Sequence, residues 1–183
     1  MSEYDPVKPV SYPLSRVILH WLIALTIIGL FVSGLWIVRM DYYDALYTLI
    51  PHWHKSIGLI LMFILVLSVF LRRLTPKPEY DASLKAYERI IAGIVQSLMS
   101  ILCFAVIISG YFITSANGDP VSVFNWFELP AYPLNVKNQE DIAGELHEIM
   151  AFALIGLAML HAGAALYHHF GKKDRTLLKI LGK

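Results

Sequence analysis

The sequence predicts an all-α integral membrane protein, a four-helix bundle with both termini in the cytoplasm. Of its 183 residues, 57% are hydrophobic and only 16% are charged, whereas about a quarter of the residues of a soluble domain are charged. No Asp, Glu, Lys or Arg occurs in four segments, residues 17–38, 56–71, 90–118 and 149–171. Because a hydrocarbon core about 30 Å thick requires roughly 20 helical residues, each segment is interpreted as a membrane span.

The predicted helices cover residues 15–38, 52–73, 84–114 and 139–170 of a single domain, 1–183. The first follows a polar N-terminal segment and is too long for a signal peptide. Pro51 lies in the first turn of the second helix, where a proline is tolerated, and the TPKP segment ends that helix. The connection between the third and fourth helices is rich in turn residues and in aromatic residues that are typical of a membrane interface.

The basic residues predict the orientation. With the N-terminus in the cytoplasm, twelve of the fifteen Lys and Arg residues lie on the cytoplasmic side, and only Arg39, Lys55 and Lys137 lie outside. Eight of the fourteen Asp and Glu residues lie outside. This asymmetry follows the positive-inside rule.

Histidines lie in the spans or close to their ends, and an ionisable residue in a span is a candidate functional residue. His20 lies near the cytoplasmic end of the first helix and His54 near the outer end of the second. His147 and His161 are 14 residues apart, about 21 Å along the fourth helix and 40° short of four full turns. They therefore share one face at two depths, which predicts two pairs: His20 with His161, and His54 with His147.

Two histidine pairs at different depths are what two haems require, since each iron takes one neutral imidazole nitrogen from either side. A zinc ion would instead need four ligands around one point. Small residues at i+4 leave space for a flat macrocycle on the same helix face. Each of these histidines has one: Ala24, Gly58, Ala151 and Ala165.

Five segments resemble the bacterial cytochrome b561 family over nearly the whole chain: RVILHWLIAL, HKSIGLILM, SGYFITSANGDPVSVF, LHEIMAFALIGLAMLHAGAALYHHF and KDRTLLKI. They are most similar to the branch encoded beside a periplasmic lipocalin-like lipid-binding protein. The resemblance implies an inner-membrane cytochrome with two non-covalent b haems that exchanges electrons with ubiquinone or another quinone. It implies that the iron ligands are the same four histidines, His20, His54, His147 and His161.

Two more residues are candidates for the cytoplasmic site. Arg16 precedes His20 by one turn and could bind a haem propionate; the alternative is ordinary anchoring at the cytoplasmic surface. His168 is seven residues after His161, only 20° from the same face and about 10 Å nearer the cytoplasm. It is a candidate contact to a propionate or to a quinone carbonyl. His52 and His169 are interpreted as interfacial.

Two haems at opposite depths predict an electron path across the membrane, with the quinone pool at one end and a periplasmic donor or acceptor, such as a redox protein, at the other. The alternative is a superoxide oxidase, a superoxide:ubiquinone oxidoreductase acting at the periplasmic face, although the excess of outer acidic residues should repel that anion. A haem-stabilised anchor for a larger complex is the third possibility. No catalytic residue is assigned, and the expected surroundings are membrane lipid rather than nucleic acid.

Overall fold

The computed structural model describes residues 11–75, 78–81 and 83–183. It confirms the predicted class, since four helices are long and apolar enough to cross a membrane. The predicted N-terminal segment lies outside the described residues as far as residue 10. The described elements are α1 (Leu14–Ile37), α2 (Leu49–Leu74), α3 (Ala86–Ser115), strands β1 (Val121–Val123) and β2 (Phe127–Leu129), α4 (Gln139–Leu166), a π-helical turn (Tyr167–Gly171) and α5 (Thr176–Ile180).

The helix boundaries lie within three residues of the predicted ones except at the end of α4. Helix α2 begins at Leu49, so Pro51 is its third residue, where the backbone has no helical acceptor to donate to in any case. Helix α3 begins at Ala86, because the Glu88 carboxylate accepts the Lys85 backbone N–H at 2.9 Å and thereby caps the first turn.

The lateral surface of the bundle, around the outside of the helices, is apolar, as a lipid-facing surface must be. Phe63 and Leu160 are 64% and 69% exposed. The most extensive helix contacts join α1 to α2 and α3 to α4. Between the helices lies a small core of buried residues: Leu61, Leu65, Cys103, Ile107 and Leu154.

We call the end of the bundle where α1 begins and α4 finishes the inner end, and the opposite end the outer end, following the predicted orientation. At the outer end, β1 and β2 form an antiparallel hairpin that the sequence did not predict. Its turn places Phe124 at φ 50° and Asn125 at φ 59°, and the Phe124 N–H donates to the buried Ser56 hydroxyl of α2 at 3.0 Å. The hairpin is thereby fixed to the end of α2.

At the inner end, the short helix α5 packs against α4 and the π-helical turn. The Trp21 indole N–H donates to the Ile180 carbonyl at 3.2 Å, and the Lys179 ammonium donates to the Glu79 carbonyl at 2.6 Å. The C-terminal segment therefore covers the inner end of the bundle beside His20.

Candidate functional site

The four histidines lie in two pairs, one near each end of the bundle. The ring centroids of His20 and His161 are 6.5 Å apart, and those of His54 and His147 are 6.2 Å apart. A ring nitrogen lies about 1.2 Å from its ring centroid, and an imidazole nitrogen binds a metal at about 2 Å. Two rings on opposite sides of one ion therefore have centroids about 6 Å apart, which is the spacing of both pairs. We call His20 and His161 the inner pair, and His54 and His147 the outer pair.

Among the described residues, no three His, Cys, Asp or Glu side chains converge on one point. The arrangement of the histidines is thus two by two, and a four-ligand zinc site has no counterpart in this part of the chain. An ion held by two opposed imidazoles needs further ligands around its equator, which a porphyrin supplies.

The outer pair lies in a cavity of about 910 Å³ that all four long helices line. This volume is at the upper end of the range of cofactor pockets. Gly58 and Ala151, the small residues one turn after the two histidines, line the cavity, and a Cβ added at Gly58 would meet no atom within 4 Å. The cavity therefore has room for a flat macrocycle beside the rings.

Charged residues also line this cavity, and most of them are acidic: Lys55, Asp119, Glu140 and Glu148. One base faces three acids. The outer cavity consequently favours a cationic or neutral ligand over an anion.

The ring of His54 is held by Ser33 of α1. The Ser33 hydroxyl donates its proton to the Leu30 carbonyl at 2.9 Å. With that proton on the Leu30 carbonyl, the Ser33 oxygen, 2.9 Å from Nδ1 of His54, accepts the Nδ1 proton. In this arrangement Nδ1 carries the proton and Nε2 is left unprotonated, as a metal ligand requires.

The ring of His147 is held in the same way by α3. Its Nδ1 lies 2.8 Å from the Val106 carbonyl oxygen, which can only accept, so Nδ1 carries the proton. The Ser109 oxygen lies 3.3 Å from the same nitrogen, and the Ser109 hydroxyl donates to Val106 at 2.8 Å. His147 also presents an unprotonated Nε2.

The inner pair has different surroundings. In the part of the chain that the structure describes, neither His20 nor His161 makes a side-chain hydrogen bond, and the His20 ring meets Trp21 edge-on with centroids 5.5 Å apart. The Arg16 guanidinium lies over the Tyr12 ring, 4.8 Å from its centroid.

His168 lies in the π-helical turn that follows α4. Its Nδ1 is 2.6 Å from Oδ2 of Asp174, whose side chain is 1% exposed. The Ser83 hydroxyl donates to the same oxygen at 3.3 Å, and the Thr176 backbone N–H donates to Oδ1 at 2.9 Å. The buried Asp174 carboxylate thus joins three segments at the inner end.

We expect Asp174→Asn to loosen the C-terminal segment. Burial raises the pKa of Asp174, but the hydrogen bonds from Thr176 and His168 outweigh it and hold the pKa below its ordinary value. The carboxylate therefore stabilises the fold above the unfolded-state pKa of about 3.9, and this contribution is lost as the pH falls through the lower, folded-state pKa. Removing one partner of a charged hydrogen-bond network costs about 1–3 kcal/mol of stability. Amide hydrogen exchange in residues 176–181 should therefore be faster in the Asp174→Asn protein than in the unmodified protein at neutral pH.

Ser83→Ala serves as the matched control, because it removes only the longest of the three bonds to Asp174. Its amide exchange should lie much closer to that of the unmodified protein. Equal exchange in the Asp174→Asn protein and the unmodified protein at pH 7 would show that the carboxylate does not hold the segment.

The serines and glycines that contact the outer pair were not among the residues predicted from the sequence. Gly110 lies against His147, where an added Cβ would be 3.0 Å from Cε1, and the corresponding distance from Gly34 to His54 is 3.5 Å. A signal was present, since the dipeptide Ser-Gly occurs only at positions 33–34 and 109–110 of the chain. Both positions lie in the outer halves of apolar helices.

Comparison with known proteins gives a consistent result. Residues 11–183 match the family model described as prokaryotic cytochrome b561. The chain is 41% identical over 175 residues to cytochrome b561 homolog 2 of Escherichia coli K12, covering 96% of this chain and 93% of the relative. It is 22% identical over 171 residues to cytochrome b561 homolog 1 of the same organism, covering 91% and 94%.

Proposed function

Because the chain belongs to the prokaryotic cytochrome b561 family, and is thus a haem b-binding electron-transfer protein of the inner membrane, we propose that it carries electrons through two haems. One is held by His20 and His161 and the other by His54 and His147. We further propose that these haems connect the quinone pool with a donor or acceptor on the periplasmic side.

The observation that carries this proposal is the spacing of the two histidine pairs, with centroids 6.5 and 6.2 Å apart. When bound, haem iron supplies a reversible one-electron change. The chain supplies opposed imidazoles, a fixed tautomer at the outer pair and an apolar wall. Since His147 and His161 are 14 residues apart on one helix, about 21 Å of rise separates the two sites.

We place the quinone at the inner end. Arg16 lies one turn before His20 on α1 and is assigned to a haem propionate. His168 has Nδ1 engaged by Asp174, so Nε2 is the ring atom left to contact a propionate or a quinone carbonyl. On the periplasmic side the acidic cavity lining favours a neutral or cationic redox partner.

Absorption spectroscopy of the purified protein with haem quantification tests the proposal. We expect about two low-spin b haems per chain, since both sites provide two imidazoles to one iron. A single haem per chain, or a high-spin spectrum, would contradict the assignment of the two sites.

Superoxide oxidation with electron delivery to quinone is the second candidate function. The three acidic residues in the outer cavity, against Lys55 alone, should slow the approach of an anion. We therefore expect that stopped-flow mixing of the oxidised protein with superoxide gives no haem reduction faster than spontaneous dismutation. Faster reduction would establish the superoxide:quinone activity instead.

A further inference from the structure

The two Ser-Gly dipeptides of the chain make the same contacts with the two outer histidines. Ser33 and Gly34 on α1 contact His54 on the neighbouring α2, and the second dipeptide on α3 contacts His147 on the neighbouring α4. In each case the serine oxygen meets Nδ1 and the glycine faces Cε1 of the same ring. The glycine leaves the space that the ring occupies, and the serine fixes the angle of the ring.

We propose that these two dipeptides, Ser33–Gly34 and Ser109–Gly110, position the outer histidine pair and strengthen it as an electron donor to iron, so that the outer haem has the lower reduction potential of the two. This rests on the proposed function, which places a haem at each pair. The serines are positioning residues, since they act through the histidines.

The hydrogen-bond direction gives the sign of the effect. An acceptor on the Nδ1 proton increases the electron density at Nε2 and makes the imidazole a more basic ligand. A more basic ligand stabilises the ferric state over the ferrous state and lowers the potential. Among the described residues, the rings of the inner pair have no such acceptor. The acids of the outer cavity act in the same direction, because negative charge also favours the ferric state. An electron that enters at the outer haem would then move to the inner haem spontaneously.

The two serines should differ in the size of their effect. Ser33 is the sole acceptor for Nδ1 of His54 within the described residues. His147 retains the Val106 carbonyl oxygen at 2.8 Å if the more distant Ser109 oxygen, at 3.3 Å, is removed. Removing the Ser33 hydroxyl should therefore shift the outer potential more than removing that of Ser109.

Potentiometric titration of the purified two-haem protein tests this, with the His54→Ala protein identifying the outer component by its loss. In the unmodified protein the lower midpoint should belong to the outer haem. Ser33→Ala should shift that midpoint to a more positive value, Ser109→Ala should shift it less, and the inner midpoint should not change. Ser33→Thr should restore it, because a threonine hydroxyl can also bond a carbonyl in the preceding helical turn.

Ser100→Ala is the matched control, since the Ser100 hydroxyl likewise donates to a backbone carbonyl, that of Gln96 at 2.9 Å, and makes no hydrogen bond to a histidine of the described chain. It should leave both midpoints unchanged. Loss of the outer haem in Ser33→Ala with retention in Ser33→Thr would also support the positioning role.

Three results would overturn the inference: an unchanged outer midpoint in a two-haem Ser33→Ala protein, a Ser33→Thr protein that behaves like Ser33→Ala, or a higher midpoint for the outer haem of the unmodified protein. A haem content other than two in the unmodified protein would instead contradict the proposed function.

Discussion

We expect His54→Ala to reduce the haem content from two per chain to one. The outer iron would lose one of its two imidazoles, and the remaining ring, His147, would be held by Val106 with no opposed partner. The inner pair lies several helical turns away and shares no hydrogen bond with α2 in the described part of the chain. The inner haem should therefore remain low-spin. Pyridine haemochrome quantification against protein concentration measures the loss directly.

His52→Ala provides the control on the same helix. Position 52 is two residues before position 54 and thus about 200° round the helix, so the substitution should leave two haems per chain. His20→Ala should also leave one haem, but the inner one should be lost, and the surviving midpoint should be the lower one. Two low-spin haems in the His54→Ala protein would remove His54 from the ligand set.

The charge gaps of the sequence predicted the four spans because hydrocarbon excludes charge along a whole helix, which makes the signal long and local. The 14-residue interval between His147 and His161 likewise predicted one face and two depths, because both residues belong to a single rigid helix. The structure places His20 and His54 opposite them. Their assignment as iron ligands stays a prediction.

Features that depend on contact between elements could not be predicted in this way. Ser33 reaches His54 only because of the angle at which α1 meets α2, and no periodicity in either helix specifies that angle. The hairpin has three-residue strands, too short for an alternating pattern, and its turn requires an aromatic residue, Phe124, in a left-handed conformation. Hydrogen bonding to Ser56, 68 positions earlier in the sequence, fixes that conformation.

The surroundings of His168 show a second limit of local patterns. The predicted helix continued to residue 170, whereas the backbone widens into a π-helical turn after Leu166 and then reverses at Lys173, with φ 57°. The reversal returns Asp174 to the His168 ring. In a straight helix, a carboxylate six residues after a histidine does not contact it. The contact between His168 and Asp174 therefore depends on where the helix ends.

We expect Gly110→Ala to weaken binding of the outer haem. The added Cβ would lie 3.0 Å from Cε1 and 3.2 Å from Nδ1 of His147, closer than a Cβ usually packs, so the ring would have to shift by a few tenths of an ångström. The ring cannot simply turn away, because its Nδ1 proton is held by the Val106 carbonyl oxygen at 2.8 Å. Since groups that orient a metal ligand typically change metal affinity about 10–100-fold, outer haem occupancy after dilution or competition with apomyoglobin should fall by a comparable factor.

Two glycines separate this steric effect from a general effect of alanine on the helices. At Gly34 an added Cβ would meet Cε1 of His54 at 3.5 Å, an ordinary contact, and at Gly93 on α3 it would meet no atom within 4 Å. Gly34→Ala should therefore lower outer haem occupancy much less than Gly110→Ala does. Gly93→Ala should leave the occupancy unchanged and should stabilise the helix by roughly 0.5–1 kcal/mol, the advantage of alanine over glycine in a helix interior. If all three substitutions lowered outer haem occupancy equally, or none did, the close approach of Gly110 to His147 would not determine how the ring is held.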